Sequence, residues 1–228
     1  MSTSTDLINN KVQDNLAKEV AKDLLQIGAV TLSPNAPYTW ASGMRSPIYC
    51  DNRMTMSFPA VRNKIANGLA ELIKVNYPDC QVIAGTATAG IPHAAWIAKE
   101  LDLPMIYVRS SAKDHGRGNQ IEGLLTSGQK VVMVEDLIST GGSVIDASLA
   151  VKEAGGDVQG VVAIFNYQLP KGQKRFEDYH VDLQTLTNYS TLIEVAKDND
   201  AINEDQAQVL TQWKNSPETW FKDYYENK

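Results

Sequence analysis

The stretch that most constrains the fold of this chain is residues 131–143. It begins with an apolar run without alternation, residues 131–134, which is typical of a strand buried on both faces of a parallel sheet. Two acids follow, Glu135 and Asp136, and then a run of small and hydroxyl-bearing residues, 139–143. Apolar residues recur after that at helical spacing, and Gly155 with Gly156 predicts a left-handed end to the helix. The stretch therefore predicts a strand, a loop and a helix in that order.

The loop in this unit has the chemistry of a phosphate site. The free N–H groups and the dipole at a helix N-terminus favour an anion, and small residues let it approach. The two acids would repel a second phosphate, but they would accept hydrogen bonds from neighbouring hydroxyl groups. A ribose 5-phosphate satisfies both halves of the site. The alternative is a capped turn beside a solvated acid pair, but two acids at the end of a buried strand are costly without a partner.

Bulk properties exclude several classes of protein. The chain has 228 residues, which predicts a single domain, 1–228, with a sizeable core. Its net charge of −6 argues against nucleic-acid or membrane-surface binding. No apolar run is long enough for a membrane span, and the N-terminus lacks the pattern of a signal peptide. The two cysteines, Cys50 and Cys80, form no motif, so we expect reduced thiols and a cytoplasmic protein.

The rest of the chain predicts strands that alternate with helices. This pattern indicates an α/β fold with a mostly parallel central sheet flanked by helices. We expect a small N-terminal hood, mainly from about residues 30–55 plus C-terminal segments, in which two short strands flank Ser42 and Gly43. Further strands are predicted at 82–84, 105–108, 161–165 and 181–183. One helix is predicted at 6–28, a second begins after a cap at Ser57, and a third begins at a capping box formed by Asn203 and Gln206.

Two further segments have chemistry of their own. The turn 85–90 has the glycine spacing of a nucleotide-binding P-loop, but Ile91 stands where the lysine belongs, so this is not an NTPase loop. A small-residue turn between a strand and a helix often serves only packing, but its place at the carboxyl end of a strand favours a contact with pyrophosphate. Residues 109–120 carry four potential cations and two glycines in an acidic protein. This composition predicts a mobile loop. The alternative is a solvated basic loop, but the concentrated positive charge and the glycines, which could act as hinges, favour a functional loop.

The stretch 131–143 resembles the 5-phosphoribosyl-1-pyrophosphate (PRPP) loop of the type I phosphoribosyltransferases. The hood 38–53, the turn 85–92 and the segment 112–116 precede this loop in that order. With this combination of motifs, the chain is similar to the orotate phosphoribosyltransferase family. The resemblance implies a type I phosphoribosyltransferase-like fold. It implies transfer of 5-phosphoribosyl from PRPP to orotate, giving orotidine 5′-monophosphate and pyrophosphate for pyrimidine nucleotide synthesis. It further implies Mg²⁺, held mainly by PRPP, and a homodimer in which the loop 109–119 acts in trans.

The resemblance also assigns roles to residues. It places catalysis on Lys113, Glu135 and Asp136, and orotate binding on Ser139. Because bond cleavage leaves a cationic ribose and an anionic leaving group, we expect catalysis by aimed charge and not by a nucleophile. The residues that the resemblance assigns to PRPP are Arg109, Lys113, His115, Glu135, Asp136, Leu137, Ile138, Ser139, Thr140, Gly141, Gly142 and Ser143.

The chain departs from the family at positions that carry charge. Some members have lysine where this chain has Ala41, Ala89 and Ser110, and many have an arginine near Tyr167. The partner of the orotate carboxylate therefore stays open, with Arg45 or backbone N–H groups of the hood as candidates.

Two other functions are compatible with a PRPP loop. One is a purine-base phosphoribosyltransferase, against which the hood and the segment 112–116 argue. The other is a non-catalytic PRPP-sensing regulator, which would need a DNA-binding domain and a basic face. The net acidity of this chain disfavours it.

Overall fold

The computed structural model describes residues 4–110 and 120–223. Within them a six-stranded sheet forms the centre of the molecule. In chain order the elements are α1 (Ser4–Gln26), β1 (Val30–Leu32), β2 (Tyr38–Thr39), β3 (Arg45–Ser46), β4 (Ile48–Cys50), a 3-10 helix (Asn52–Ser57), α2 (Pro59–Asn76), β5 (Val82–Thr86), α3 (Gly90–Leu101), β6 (Met105–Val108), β7 (Ile121–Glu122), β8 (Lys130–Ile138), α4 (Gly142–Glu153), β9 (Asp157–Asn166), α5 (Pro170–Asp178), β10 (Leu183–Asn188), α6 (Tyr189–Asp198) and α7 (Glu204–Asn215).

The sheet has the order β10-β9-β8-β5-β6-β7. All neighbouring strands are parallel except β6 and β7, which pair antiparallel at one edge. This arrangement confirms the mostly parallel sheet that the sequence predicts. Because the carboxyl ends of parallel strands meet at one edge of the layer, ligands are expected there.

Strand β8 is buried on both faces because apolar layers cover the sheet on each side. Val132 and Val134 pack with α2, α3 and α6, whereas Val131 and Met133 pack with α4. All four side chains are fully buried. The alternation continues beyond the apolar run, so Glu135 follows the α4 face and Asp136 follows the opposite face.

The hood consists of two antiparallel strand pairs, β1 with β4 and β2 with β3. It confirms the predicted hairpin around Ser42 and Gly43. The C-terminal part of the chain packs against it, since Trp213 in α7 donates a hydrogen bond from Nε1 to the carbonyl of Arg45. Trp220, further along the C-terminal segment, is also buried.

Several predicted elements match the structure closely. The strand predicted at 105–108 is β6, that at 82–84 lies within β5, and that at 161–165 lies within β9. The capping box at Asn203 and Gln206 is present, and Gly155 has φ +92 after α4. None of the helices among the described residues has the length and apolar content that a membrane crossing needs.

Three predicted boundaries are wrong. Ser57 does not cap a helix: it ends the 3-10 helix, and α2 begins at Pro59 after Phe58, with proline in the first turn where its missing N–H is not needed. Strand β8 does not end at the acids, because its pairing with β9 continues to Ile138. The last strand is Leu183–Asn188 and not 181–183, because register with β9 starts only at Leu183.

Candidate active site

Glu135 lies inside β8, close to its carboxyl end, and is turned inward. Only 6% of the residue is exposed. Its Oε1 accepts a hydrogen bond from the backbone N–H of Asp136 (3.0 Å), and its Oε2 accepts one from Ser143 Oγ (3.3 Å). Burial, with the adjacent Asp136 as the second cause, raises the pKa of the Glu135 carboxyl to about 9. Burial therefore favours the protonated form of this acid in the free protein.

Asp136 is the more accessible acid of the pair and faces the hood. Its backbone carbonyl accepts a hydrogen bond from Asn52 Nδ2 at 2.7 Å. Burial also raises the pKa of its carboxyl. Because neighbouring side chains of a strand point to opposite faces, the two acids reach the edge of the sheet from different sides: Glu135 beside α4 and Asp136 beside the hood.

The loop after β8 presents an open helix N-terminus. Gly141 precedes α4 with φ +70 and, having no side chain, cannot itself cap the first turn. The backbone N–H groups of that turn are therefore left for an anion, as a phosphate site requires. Ser139 and Thr140 lie in this loop and are half-buried.

Helix α5 lies against the same loop. A Cβ atom added to Gly172 would lie 2.5 Å from the carbonyl oxygen of Ser139, and one added to Gly141 would lie 2.7 Å from the ring of Phe176. The Arg175 guanidinium reaches the first turn of α4, since its Nη1 lies 2.5 Å from the Cβ position of Gly142. This helix was not predicted from the sequence, and neither was its role in shaping the loop.

The turn after β5 lies beside the acids. A Cβ atom at Gly90 would collide with the carbonyl oxygen of Val134, so this position of α3 tolerates only glycine against β8. Ala87 donates a backbone hydrogen bond to Val108 at the end of β6. The turn predicted to contact pyrophosphate is thus at the carboxyl edge of the sheet, next to β8.

Arg109 follows β6 at the same edge. Its backbone N–H donates to the carbonyl of Gln120 (2.9 Å), and its Nη1 lies 3.7 Å from Glu122 Oε1. The other two cations assigned to PRPP, Lys113 and His115, lie outside the described residues. The structure thus brings Arg109, both acids and the loop 137–143 to one edge of the sheet.

Two further residues lie beside the acids without having been predicted there, Asn52 and Arg53. They lie at the start of the 3-10 helix, where Asp51 caps the first turn. The run Asp51, Asn52 and Arg53 has the polar composition of a binding segment. Its contact with β8 depends on long-range packing, which the sequence does not reveal. Arg45, a candidate for orotate, packs with its guanidinium 4.4 Å from the centre of the Phe221 ring.

The described residues contain no group of three or more histidine, cysteine, aspartate or glutamate side chains arranged to hold a metal ion. The two acids provide hard oxygen ligands of the kind that Mg²⁺ takes, but too few to surround the ion. This donor set fits an ion that a bound polyphosphate coordinates in large part.

Comparison with known proteins agrees with this site. Residues 59–200 match the model of the phosphoribosyl transferase domain, so the chain belongs to the phosphoribosyltransferase family. Within it, the chain falls among the orotate phosphoribosyltransferases. The protein of that name from Enterococcus faecalis is 61% identical over 91% of this chain and 99% of its own length. That from Listeria innocua is 58% identical over 91% of this chain and 100% of its own length.

The fold has a solved counterpart as well. The orotate phosphoribosyltransferase of Aeropyrum pernix superposes with a TM-score of 0.69 at 27% identity, over 77% of this chain and 96% of that one. The fold class predicted from the sequence is therefore confirmed.

Proposed function

We propose that this protein transfers the 5-phosphoribosyl group of PRPP to orotate, giving orotidine 5′-monophosphate and pyrophosphate. The observation that carries the proposal is the placement of two acids and an open helix N-terminus at one end of β8. Such a site matches the hydroxyl groups and the 5-phosphate of a ribose phosphate. The names of relatives that are 55–61% identical support orotate as the base.

The acids act on charge that develops during the reaction. Loss of pyrophosphate leaves positive charge on the ribose ring, which a carboxylate beside it stabilises more in the transition state than in the ground state. Asp136, the more accessible acid, accepts hydrogen bonds from the ribose hydroxyl groups and faces the cationic ring. Glu135 shares this role once a bound cationic centre favours its ionised form, because a nearby positive charge lowers a carboxyl pKa.

The loop after β8 holds the 5-phosphate. Backbone N–H groups at 140–143, Ser143 included, and the hydroxyls of Ser139 and Thr140 donate to it, and Leu137 and Ile138 fix the loop to the sheet. Ser139 also contacts orotate. Binding of the non-reacting phosphate positions the ribose carbon against the base, which lowers the entropic cost of reaction.

The pyrophosphate is bound by cations from the loop 109–119. Arg109, Lys113 and His115 neutralise the leaving group, and the loop excludes water when it closes over the site of a partner subunit in a homodimer. Mg²⁺, held mainly by PRPP, supplies further neutralisation of the pyrophosphate. The protein acts in the cytoplasm, in the pathway to pyrimidine nucleotides, without nucleic acid or membrane as partner.

A spectrophotometric assay of orotate consumption with PRPP and Mg²⁺ tests the function. We expect PRPP-dependent loss of orotate and no turnover of adenine, hypoxanthine or xanthine. Turnover of a purine base instead would establish the first alternative. PRPP binding without turnover of any base would favour the PRPP-sensing regulator.

A further inference from the structure

The carboxylate of orotate needs a cation in this site. Orotate approaches a strand end that already carries Glu135 and Asp136, so an unpaired carboxylate there would meet like charge. Ala41 and Tyr167 cannot supply a positive charge. Another residue has to supply the charge, an inference that rests on the proposed function.

Arg45 is held away from this role by its own contacts. Its Nη2 donates to the carbonyl of Pro37 at 3.2 Å, and its guanidinium stacks on Phe221 of the C-terminal segment. Its backbone carbonyl accepts the hydrogen bond from Trp213. Arg45 therefore joins the hood to the C-terminal segment.

Arg53 has a different environment. Asp51 holds it by two parallel hydrogen bonds, from Nε to Oδ1 (2.7 Å) and from Nη2 to Oδ2 (2.8 Å). Such a fork fixes the plane of the guanidinium. The Arg53 side chain is still 61% exposed, and among the described residues its Nη1 has no hydrogen-bond partner. One edge of the guanidinium is therefore oriented by Asp51 and the other is free.

The location of Arg53 is set by the residue before it. Asn52 is fully buried and donates from Nδ2 to the carbonyl of Asp136. This bond anchors the start of the 3-10 helix to the hood side of β8. Arg53 thus follows directly on the contact between the hood and the strand that carries the two acids, and its charge interacts with that of Asp136.

We propose that Arg53 binds the carboxylate of orotate through its free Nη1 edge, with Asp51 fixing the orientation of the guanidinium. The pairing makes Arg53 a specificity residue, because it distinguishes orotate from a pyrimidine that lacks the carboxylate. A site built to pair with a charged group loses affinity steeply when that group is missing.

Two nucleotides that differ only in the carboxylate provide the test: orotidine 5′-monophosphate and uridine 5′-monophosphate. Their dissociation constants are measured by titration calorimetry for the wild type, Arg53→Gln and Arg45→Gln. We expect Arg53→Gln to weaken binding of the orotidine nucleotide about ten- to a hundredfold, as loss of a charge-assisted hydrogen bond does. Binding of the uridine nucleotide should stay within about twofold in the same variant, and Arg45→Gln should keep the wild-type ratio of the two constants.

Other results would overturn the assignment. The deciding quantity is the dissociation constant of the uridine nucleotide divided by that of the orotidine nucleotide. If this ratio is unchanged in Arg53→Gln, Arg53 does not bind the carboxylate. If it falls in Arg45→Gln instead, Arg45 binds the carboxylate. Thermal melting by circular dichroism checks folding. If Arg53→Gln does not fold, Arg53→Lys replaces it, and its ratio should still fall several-fold because lysine lacks the fork. Absence of orotate turnover in the wild type would contradict the proposed function, whereas turnover with an unchanged ratio contradicts only the role of Arg53.

Discussion

Asn52 donates a hydrogen bond from Nδ2 to the backbone carbonyl of Asp136 across 2.7 Å, although 84 residues separate them in the chain. The Oδ1 atom of the same amide accepts from Cys50 Sγ. One buried side chain thus connects the hood to the end of β8.

Asn52→Ala should lower the free energy of unfolding by about 1–3 kcal/mol, because the carbonyl of Asp136 loses its partner in a buried place. Urea denaturation followed by circular dichroism measures the change. Asn76→Ala is the matched control, since Asn76 bonds to the carbonyl of Leu72 on an exposed helix end. An equal loss of unfolding free energy in both variants would show that the hydrogen bond to β8 stabilises the protein no more than one at an exposed helix end.

Asp136→Asn should lower kcat about a hundredfold or more, while the dissociation constant of PRPP changes less than about threefold. The reason is that the charge of Asp136 counts most when the ribose becomes cationic. Steady-state kinetics and PRPP titration separate the two effects, with the exposed Asp146→Asn as control. A raised KM for PRPP at unchanged kcat would mean that Asp136 only binds the ground state.

The buried Glu135 should make the free protein less stable as pH rises. Its pKa in the folded protein is about 9, against an ordinary value near 4.5, so the folded state binds more protons throughout this interval. Stability is therefore lost progressively between about pH 4.5 and 9. Each unit of pKa difference is worth about 1.4 kcal/mol, so we expect a loss of more than about 1 kcal/mol.

Glu135→Gln removes this titration. Denaturation curves at pH 5 and pH 9 should show the variant gaining stability relative to the wild type as pH rises. The exposed Glu153→Gln should follow the wild type. Parallel pH profiles for the wild type and Glu135→Gln would contradict a protonated Glu135 in the free protein.

Gly172→Ala should raise the KM for PRPP several-fold. The new methyl group would meet the carbonyl oxygen of Ser139, a backbone atom, so α5 and the loop after β8 have to move apart. Kinetics at varied PRPP measure the effect, and Gln173→Ala, exposed on the same helix, is the control. Unchanged KM values would show that the loop tolerates the displacement.

Mixing two inactive variants tests whether the loop 109–119 acts in trans. One variant is Lys113→Ala, and the other is Asp136→Asn. In a mixed dimer with a shared site, one site carries both defects and the other carries neither. Random exchange makes about half of the dimers mixed, so activity should recover to about a quarter of the wild-type value per site.

The exchange needs a mild unfolding and refolding step, and each variant refolded alone is the control. If the loop acts within its own chain, every site carries one defect and mixing restores nothing. That result, after exchange is confirmed, would assign Arg109, Lys113 and His115 to their own subunit.

Sequence alone determined the local elements and the chemistry of the central unit. The apolar run 131–134 predicted a doubly buried strand, and Gly155 and the capping box at Asn203 predicted helix ends. These features depend on neighbours in the chain, because helix caps and the burial period of a strand are set by residues a few positions apart. The small residues after the acids likewise predicted an open helix N-terminus.

Only the tertiary structure decided how far β8 extends and what surrounds its acids. Pairing with β9 carries the strand through Glu135 and Asp136 to Ile138, which turns one acid towards α4 and the other towards the hood. Burial of Glu135, the contact of Asn52 with Asp136 and the packing of Arg45 on Phe221 all join segments far apart in sequence. Local sequence patterns do not predict such contacts, because the environment of a side chain depends on which distant segments the fold brings against it.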